Sequence, residues 1–280
     1  MSRIKLYKPT TPGRRSTSIV DYKQILTTNE PHKALLLRKR TQAGRSQGKI
    51  TVRHQGASGI RKMIRQIDIK RNFPEGFKVL TIEYDPNRTS FICLVSCLKT
   101  GVKKYILHTD KMEVGNSYQT NSEVLDGNQV VIGTVPVGTY VSQIELSPNK
   151  GATMVRSAGT YAIVTAKDDK YVTIKLPSSE IRKILATCKC IVNRVGNTAH
   201  GLVRLGKAGR VRRKGVRPSV RGKVMNPVDH PHGGGEASNS IGMKYPKTPW
   251  GKHALGVKTR NKKKQSTKLI ITRRKSKKSK

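Results

Sequence analysis

Phe91-Ile92-Cys93-Leu94-Val95-Ser96-Cys97-Leu98 is the stretch on which the fold turns. It is apolar on both faces, which marks a central strand covered on its two sides, with Phe91, Cys93 and Val95 facing one way and Ile92, Leu94 and Leu98 the other. Short β-rich runs lie on either side of it: Lys78 to Asp85, Lys103 to Leu107, Gln129 to Val135, Tyr140 to Leu146, Thr160 to Ala166, Tyr171 to Leu176 and Ile191 to Val195. Between them come residues that tolerate tight reversal, among them Asp85-Pro86-Asn87, Lys99-Thr100-Gly101, Asp126-Gly127-Asn128 and Asp168-Asp169-Lys170. In Tyr171 to Leu176 the apolar Val172, Ile174 and Leu176 alternate with Tyr171, Thr173 and Lys175, which gives one buried and one wet face. Many short strands at this spacing indicate an all-β barrel or sandwich. One short helix is expected at Ser178 to Leu185, where Pro177 precedes a Ser-Ser-Glu start. The polar, Gly-containing stretch Asn121 to Asn128 is the expected boundary between two small barrels.

Charge divides the chain in the same way. Its 280 residues carry 57 Lys and Arg against 16 Asp and Glu, a formal net charge of +41. The excess is +11 over residues 1–60, +8 over residues 61–200 and +22 over residues 201–280. A middle with ordinary surface chemistry between two cationic ends reads as a folded core with arms that become ordered on a polyanion. The expected organisation is therefore a basic extension over 1–60, barrels over 61–125 and 126–200, and a Gly/Lys/Arg-rich extension over 201–280. The last segment holds five prolines among its glycines and cations and cannot bury enough apolar surface to fold alone. Glycine lets main chain approach phosphates, and Arg offers a planar fork for phosphate and a stacking surface for bases, so nucleic acid is the expected partner.

Other classes fit less well. No stretch approaches the roughly 20 consecutive apolar residues of a spanning helix, and the basic runs lack amphipathic periodicity, so no membrane partner is expected. Met1 to Arg15 carries no apolar signal core and runs into Pro9, Pro12 and Gly13, so synthesis and function are expected in one compartment. Cys93, Cys97, Cys188 and Cys190 fall in strand-like segments without zinc-ligand pairing and read as reduced core residues; no metal and no cofactor is expected. A DNA-packaging role would rest on charge alone, because no groove-reading helix pattern is present. Aromatics make up 5% of the chain, too few for single-strand stacking to dominate affinity, so recognition of folded RNA by shape and phosphate contact is favoured.

The segment Val224-Met225-Asn226-Pro227-Val228-Asp229-His230-Pro231-His232-Gly233-Gly234-Gly235-Glu236 resembles the hallmark loop of the universal large-subunit ribosomal protein two family, bacterial and organellar type. Further likenesses, in family order, are Leu6 to Arg15, Thr81 to Arg88, Arg156 to Thr160, Arg217-Pro218 with Val220-Arg221-Gly222, and Thr248-Pro249-Trp250-Gly251. The chain departs from the family at Glu236-Ala237-Ser238, where a glycine and a cation are usual, and at His54 to Gly59, where glycines are fewer. The resemblance implies an oligonucleotide-binding-like (OB-like) barrel followed by an SH3-like barrel, with long basic, irregular amino- and carboxy-terminal extensions.

It further implies a non-enzymatic constituent of the large ribosomal subunit. Such a protein binds large-subunit rRNA near the peptidyl-transferase region, contacts neighbouring ribosomal proteins and the small subunit at the interface, and supports subunit association and tRNA placement. The expected location is the ribosome of a bacterial cytoplasm, or alternatively of a mitochondrial matrix or plastid stroma. By the same resemblance Arg88, Arg156, Arg217, Arg221, His230, His232, Gly233, Gly234, Gly235 and Trp250 are the expected RNA-binding residues. His230 also matches a histidine proposed to assist peptide-bond formation. Asp229, His230 and His232 would suit a base with its orienting carboxylate, or a metal site, but Pro227, Pro231 and three glycines make an irregular loop expected to need outside support, which RNA can give.

Overall fold

A computed structural model describes residues 4–38, 62–120, 123–236, 239–261 and 263–274, together with the backbone of 45–46 and 49–50. Both family departures, at Ala237-Ser238 and at His54 to Gly59, lie outside the described residues.

Strands β1 (Ile4–Leu6) and β2 (Ser18–Val20) form an antiparallel ribbon around a single helical turn, α1 (Pro12–Arg15). Next come β3 (Leu36–Arg38), the short pair β4 (Arg45–Ser46) and β5 (Lys49–Ile50), and β6 (Met63–Arg65), which returns to pair with β3. The first large sheet has four strands in the order β10-β7-β8-β9: β7 (Phe77–Glu83), β8 (Ile92–Cys97), β9 (Lys103–Leu107) and β10 (Ser117–Tyr118). The second has seven, in the order β11-β16-β12-β13-β14-β15-β17. They are β11 (Gln129–Val131), β12 (Tyr140–Ser142), β13 (Ala162–Lys167), β14 (Tyr171–Lys175), β15 (Ile181–Leu185), β16 (Lys189–Val192) and β17 (Ile270–Thr272).

β8 is the interior strand that its two apolar faces require. Phe91, Cys93 and Val95 pack with Phe73, Phe77, Val79 and Ile106, whereas Ile92 and Leu94 pack on the other face with Tyr105 and Leu107. Leu98, expected on that second face, is 50% exposed because the strand ends at Cys97 and the chain turns. The second core is built from the alternate residues of its strands, including Val141, Val164, Val172, Ile174, Ile184 and Cys190. All four cysteines are free and buried, and burial pushes the thiols of Cys93 up to about 12 and Cys188 up to about 11.

The helix expected at Ser178 to Leu185 is not formed. Residues Ile181–Leu185 are strand β15, paired along its whole length with β14, and Arg182 and Ile184 are buried while their neighbours are half-buried. The Ser-Ser-Glu start is instead a hairpin turn: Ser179 takes a φ of 66°, its N–H donates to Leu176 O, and Leu176 N–H donates to Glu180 O. Period-two burial of Arg182 and Ile184 and pairing with β14 override the local capping pattern.

Residues 1–40, 61–207 and 265–280 form one compact unit, and residues 41–60 and 208–264 form another. Part of the amino-terminal segment is thus packed: Val20 is 1% exposed in the first core, with Tyr22, Ile25 and Leu26 against it. The carboxy-terminal β17 pairs with β15 at the edge of the second sheet. The unit containing residues 208–264 is of another kind, since His230 is its one buried residue among those described. Its described residues hold the β4–β5 pair, one short helix, α2 (Ala208–Arg213), and a single 3-10 turn at Gly222–Val224, and are otherwise turns and irregular backbone.

Candidate nucleic-acid interface

Arg88 and Arg156 come from loops of different sheets and lie beside each other. Arg88 closes the turn after β7, where its Nε donates to Asp85 Oδ2 at 2.7 Å and the Asp85 side chain is fully buried. Next to it, Thr89 Oγ1 accepts the Ala158 N–H at 3.1 Å and Thr89 O accepts from Asn197 Nδ2 at 2.7 Å. These bonds tie the β7–β8 turn to the loop before β13, so Arg156 stands beside Arg88. Burial first, and then the charge of Arg88, lower the pKa of Arg156. Its Nε is buried without an acceptor. Two guanidinium groups held together against their mutual repulsion, one with an unused donor, form a site for an anion that brings oxygen acceptors, as a phosphate does.

A buried polar network fixes the two sheets around this site. Arg71 is 2% exposed; its Nη2 donates to Leu107 O and to Gln143 Oε1, and Gln143 Nε2 donates to Thr109 Oγ1. Without a bonded carboxylate, the Arg71 guanidinium is pulled down to about 10 by burial. Gln129 Nε2 adds a bond to Lys70 O at 3.1 Å. Nothing in the sequence singles out Arg71, Gln129 or Gln143, because a polar residue in or beside a strand carries no sign of the sheet it will face.

The hallmark loop is closed by its own backbone. Met225 N–H donates to Gly222 O, Asp229 N–H and His230 N–H to Asn226 O, Gly233 N–H to His230 O at 2.8 Å, and Gly234 N–H to Met225 O. These bonds give the irregular loop a closed path. A Cβ on Gly233 would collide with the carbonyls of Asn226 and Met225, and Gly234 and Gly235 have φ of 87° and 81°, so all three glycines are needed for the loop path.

His230 sits inside this loop, 7% exposed, with Gly222 against its ring. Its Nδ1 accepts the His232 N–H at 2.9 Å, and His232 Nε2 accepts the Lys247 N–H at 2.8 Å. A catalytic imidazole oriented by a carboxylate donates its Nδ1–H, and a metal ligand needs a free lone pair. Here His230 Nδ1 and His232 Nε2 both hold backbone, while Asp229 is exposed. Among the described residues no group of three or more His, Cys, Asp or Glu could hold a metal.

His232 links the loop to a second presenting element, the turn at 245–254. Thr248 N–H donates to Lys252 O, Ala254 N–H to Pro246 O, and Gly251 adopts a φ of 76°. At its tip Trp250 is 71% exposed. Arg221 is exposed and Arg217 half-buried, both ahead of the loop. The expected residues thus fall into two groups, Arg88 with Arg156 on loops between strands of the two large sheets and the remainder within 208–264.

Residues 32–120 match the family model described as Ribosomal Proteins L2, RNA binding N-terminal domain, and residues 125–251 match Ribosomal Proteins L2, C-terminal domain. The chain belongs to the ribosomal protein L2 family. It is accordingly a structural protein of the large ribosomal subunit, which binds rRNA and works in the ribosome among other ribosomal proteins. Its first sheet is the OB-like unit and its second the SH3-like unit of the L2 fold. L2 proteins are structural constituents and not, in general, enzymes. No helix among the described residues is long and apolar enough to cross a membrane.

Proposed function

We propose that this chain is a primary binder of large-subunit rRNA near the peptidyl-transferase region, where it supports subunit association and tRNA placement and contacts the small subunit at the interface. The ribosome is of bacterial type, in a bacterial cytoplasm or alternatively in a mitochondrial matrix or plastid stroma. The barrels over 61–125 and 126–200 anchor it, and the basic segments within 1–60 and 201–280 follow the RNA, with no membrane involved. The observation that carries the reading is the Arg88–Arg156 pair, a cationic site in which the buried Nε of Arg156 has no acceptor among the described residues. Arg217, Arg221, His232 and Trp250 add contacts, while Gly233, Gly234, Gly235 and the buried His230 shape the loop that presents them.

The role is positional, not catalytic. Cosedimentation with the large subunit at moderate salt is expected, and recovery as free monomer even at low salt would contradict it. In assembled particles, His230→Gln should disturb assembly or subunit joining while leaving peptide transfer at its parental rate. Slowed transfer in fully assembled particles would revive the catalytic histidine.

A further inference from the structure

We propose that the cleft where the OB-like and SH3-like sheets adjoin, on Tyr140 and Tyr161, is a binding site for one unpaired nucleotide of the rRNA; this rests on the rRNA-binding reading above. The cleft has a volume of about 450 Å³ and is lined by Asp110, Lys111, Asp126, Tyr140, Tyr161 and Arg194. That falls within the roughly 300–1,000 Å³ of sites that take small organic groups.

Its wall is aromatic. Tyr140 opens β12 and Tyr161 directly precedes β13, which pairs with β12, so the two rings pack against each other, tilted by 49° with centroids 4.6 Å apart. They are 49% and 38% exposed, in a chain whose Phe73, Phe77, Phe91 and Tyr105 are all buried. Aromatic surface left open beside a tilted ring pair is what a single base can stack on.

The charges point the same way. Arg194 Nε meets Asp110 Oδ2 at 2.7 Å, and Lys111 Nζ meets Asp126 Oδ2 at 2.9 Å. Two cations and two carboxylates leave the cleft neutral in a protein of net charge +41. A phosphate site would carry a cation left over from its carboxylates, as Arg156 is beside the Arg88–Asp85 pair, and a site for a basic protein tail would be acidic. A neutral cleft that still offers a second carboxylate oxygen on each Asp and the terminal nitrogens of Arg194 suits the mixed donors and acceptors of a base edge. The floor is fixed by main chain: Asn193 N–H donates to Tyr140 O at 2.7 Å and Asp110 N–H to Arg194 O at 2.9 Å. Lys111 and Asn193 hold left-handed φ of 68° and 78° there, a conformation that a lysine rarely adopts without a structure that enforces it.

The test is a salt titration of the full-length chain on the rRNA fragment that it protects from nuclease. Replacing both tyrosines by Ala should weaken binding about tenfold at every salt concentration without changing the salt slope, because stacking releases no counterions. Replacing both by Phe should leave affinity within about twofold, since the ring faces remain. Arg88→Ala, as control, should lower the slope. In the parent complex, ultraviolet crosslinking should put a nucleotide adduct on the peptide of Tyr140 or Tyr161, a readout that needs no variant to fold. Parental affinity in the Ala variant, a reduced slope, or a crosslink there to protein in the assembled subunit would overturn the proposal. Loss of salt-dependent RNA binding in the parent would instead remove the rRNA reading on which it stands.

Discussion

A buried guanidinium nitrogen without an acceptor destabilises the chain that carries it, and at Arg156 the neighbouring Arg88 adds repulsion. Replacing Arg156 by Met removes both, so the melting temperature of the free chain should stay level or rise. Affinity for rRNA should fall by about 1–3 kcal/mol, with a shallower salt slope. A variant that melts lower and binds normally would show Arg156 to be structural. His108 makes the corresponding case for pH. It lies between the sheets, Gly196 packs on its ring, its Nε2 lies 3.2 Å from Met112 O, and its Nδ1 is buried without a partner. Burial, the largest influence, and also Arg71 lower its pKa below the ordinary 6.5. The unfolded chain therefore binds the proton first, and the stability held in full above pH 6.5 is lost as pH falls through and below that value. Thermal melts from pH 7.5 to pH 5 should show this decline, and His108→Gln should flatten it.

Elements differ in how far their own residues announce them. Lys103–Leu107 is the strand expected from its sequence to the residue, and Tyr171–Lys175 falls short by only the final leucine, because alternation and flanking turns are local properties. Ile181–Leu185 was not legible as a strand, because its decisive partner, β14, lies across a turn that imitates a helix cap. β17 was hidden in the same way: Ile270–Thr272 is three residues in a basic tail, and only the free edge of β15 makes it a strand. Of the candidate site, Arg88 and Arg156 could be named from their motifs, but their meeting depends on Thr89 bonds to Ala158 and Asn197, up to 108 residues away in sequence. Glu145, just after β12, was equally silent. Its carboxylate accepts N–H groups from Gly151 at 2.8 Å, Lys189 at 3.0 Å and Asn149 at 3.3 Å, and so ties a loop to β16. Glu145→Gln puts an NH₂ donor where an acceptor is needed, and should lower unfolding stability by about 2–4 kcal/mol in a urea titration. An unchanged midpoint would mean that the loop holds itself.

At the scale of the molecule, two kinds of material share one chain. The unit with both sheets buries Phe77, Val79, Cys93, Ile132, Val164, Ile174 and many more at or near zero exposure. Residues 208–264 bury only His230 among those described, leave Val228 91%, Leu255 76% and Trp250 71% exposed, and carry 15 Lys and Arg against 2 acidic residues. Local hydrogen bonds such as those around Asn226 hold single turns but supply no apolar burial to offset roughly 1–2 kcal/mol of backbone entropy per residue. If the phosphates of rRNA supply the missing free energy through counterion release, order in this segment depends on salt as well as on RNA. Limited trypsin digestion of the free, nuclease-treated chain should therefore cut within 208–264 and spare a core covering 62–207. On the rRNA complex at low salt the same sites should be protected, and rising salt should return the cleavage as binding is lost. Full protection of 208–264 without RNA would mean that the segment's stability comes from its own turns, and that the loop bonds are worth far more than exposed hydrogen bonds ordinarily are.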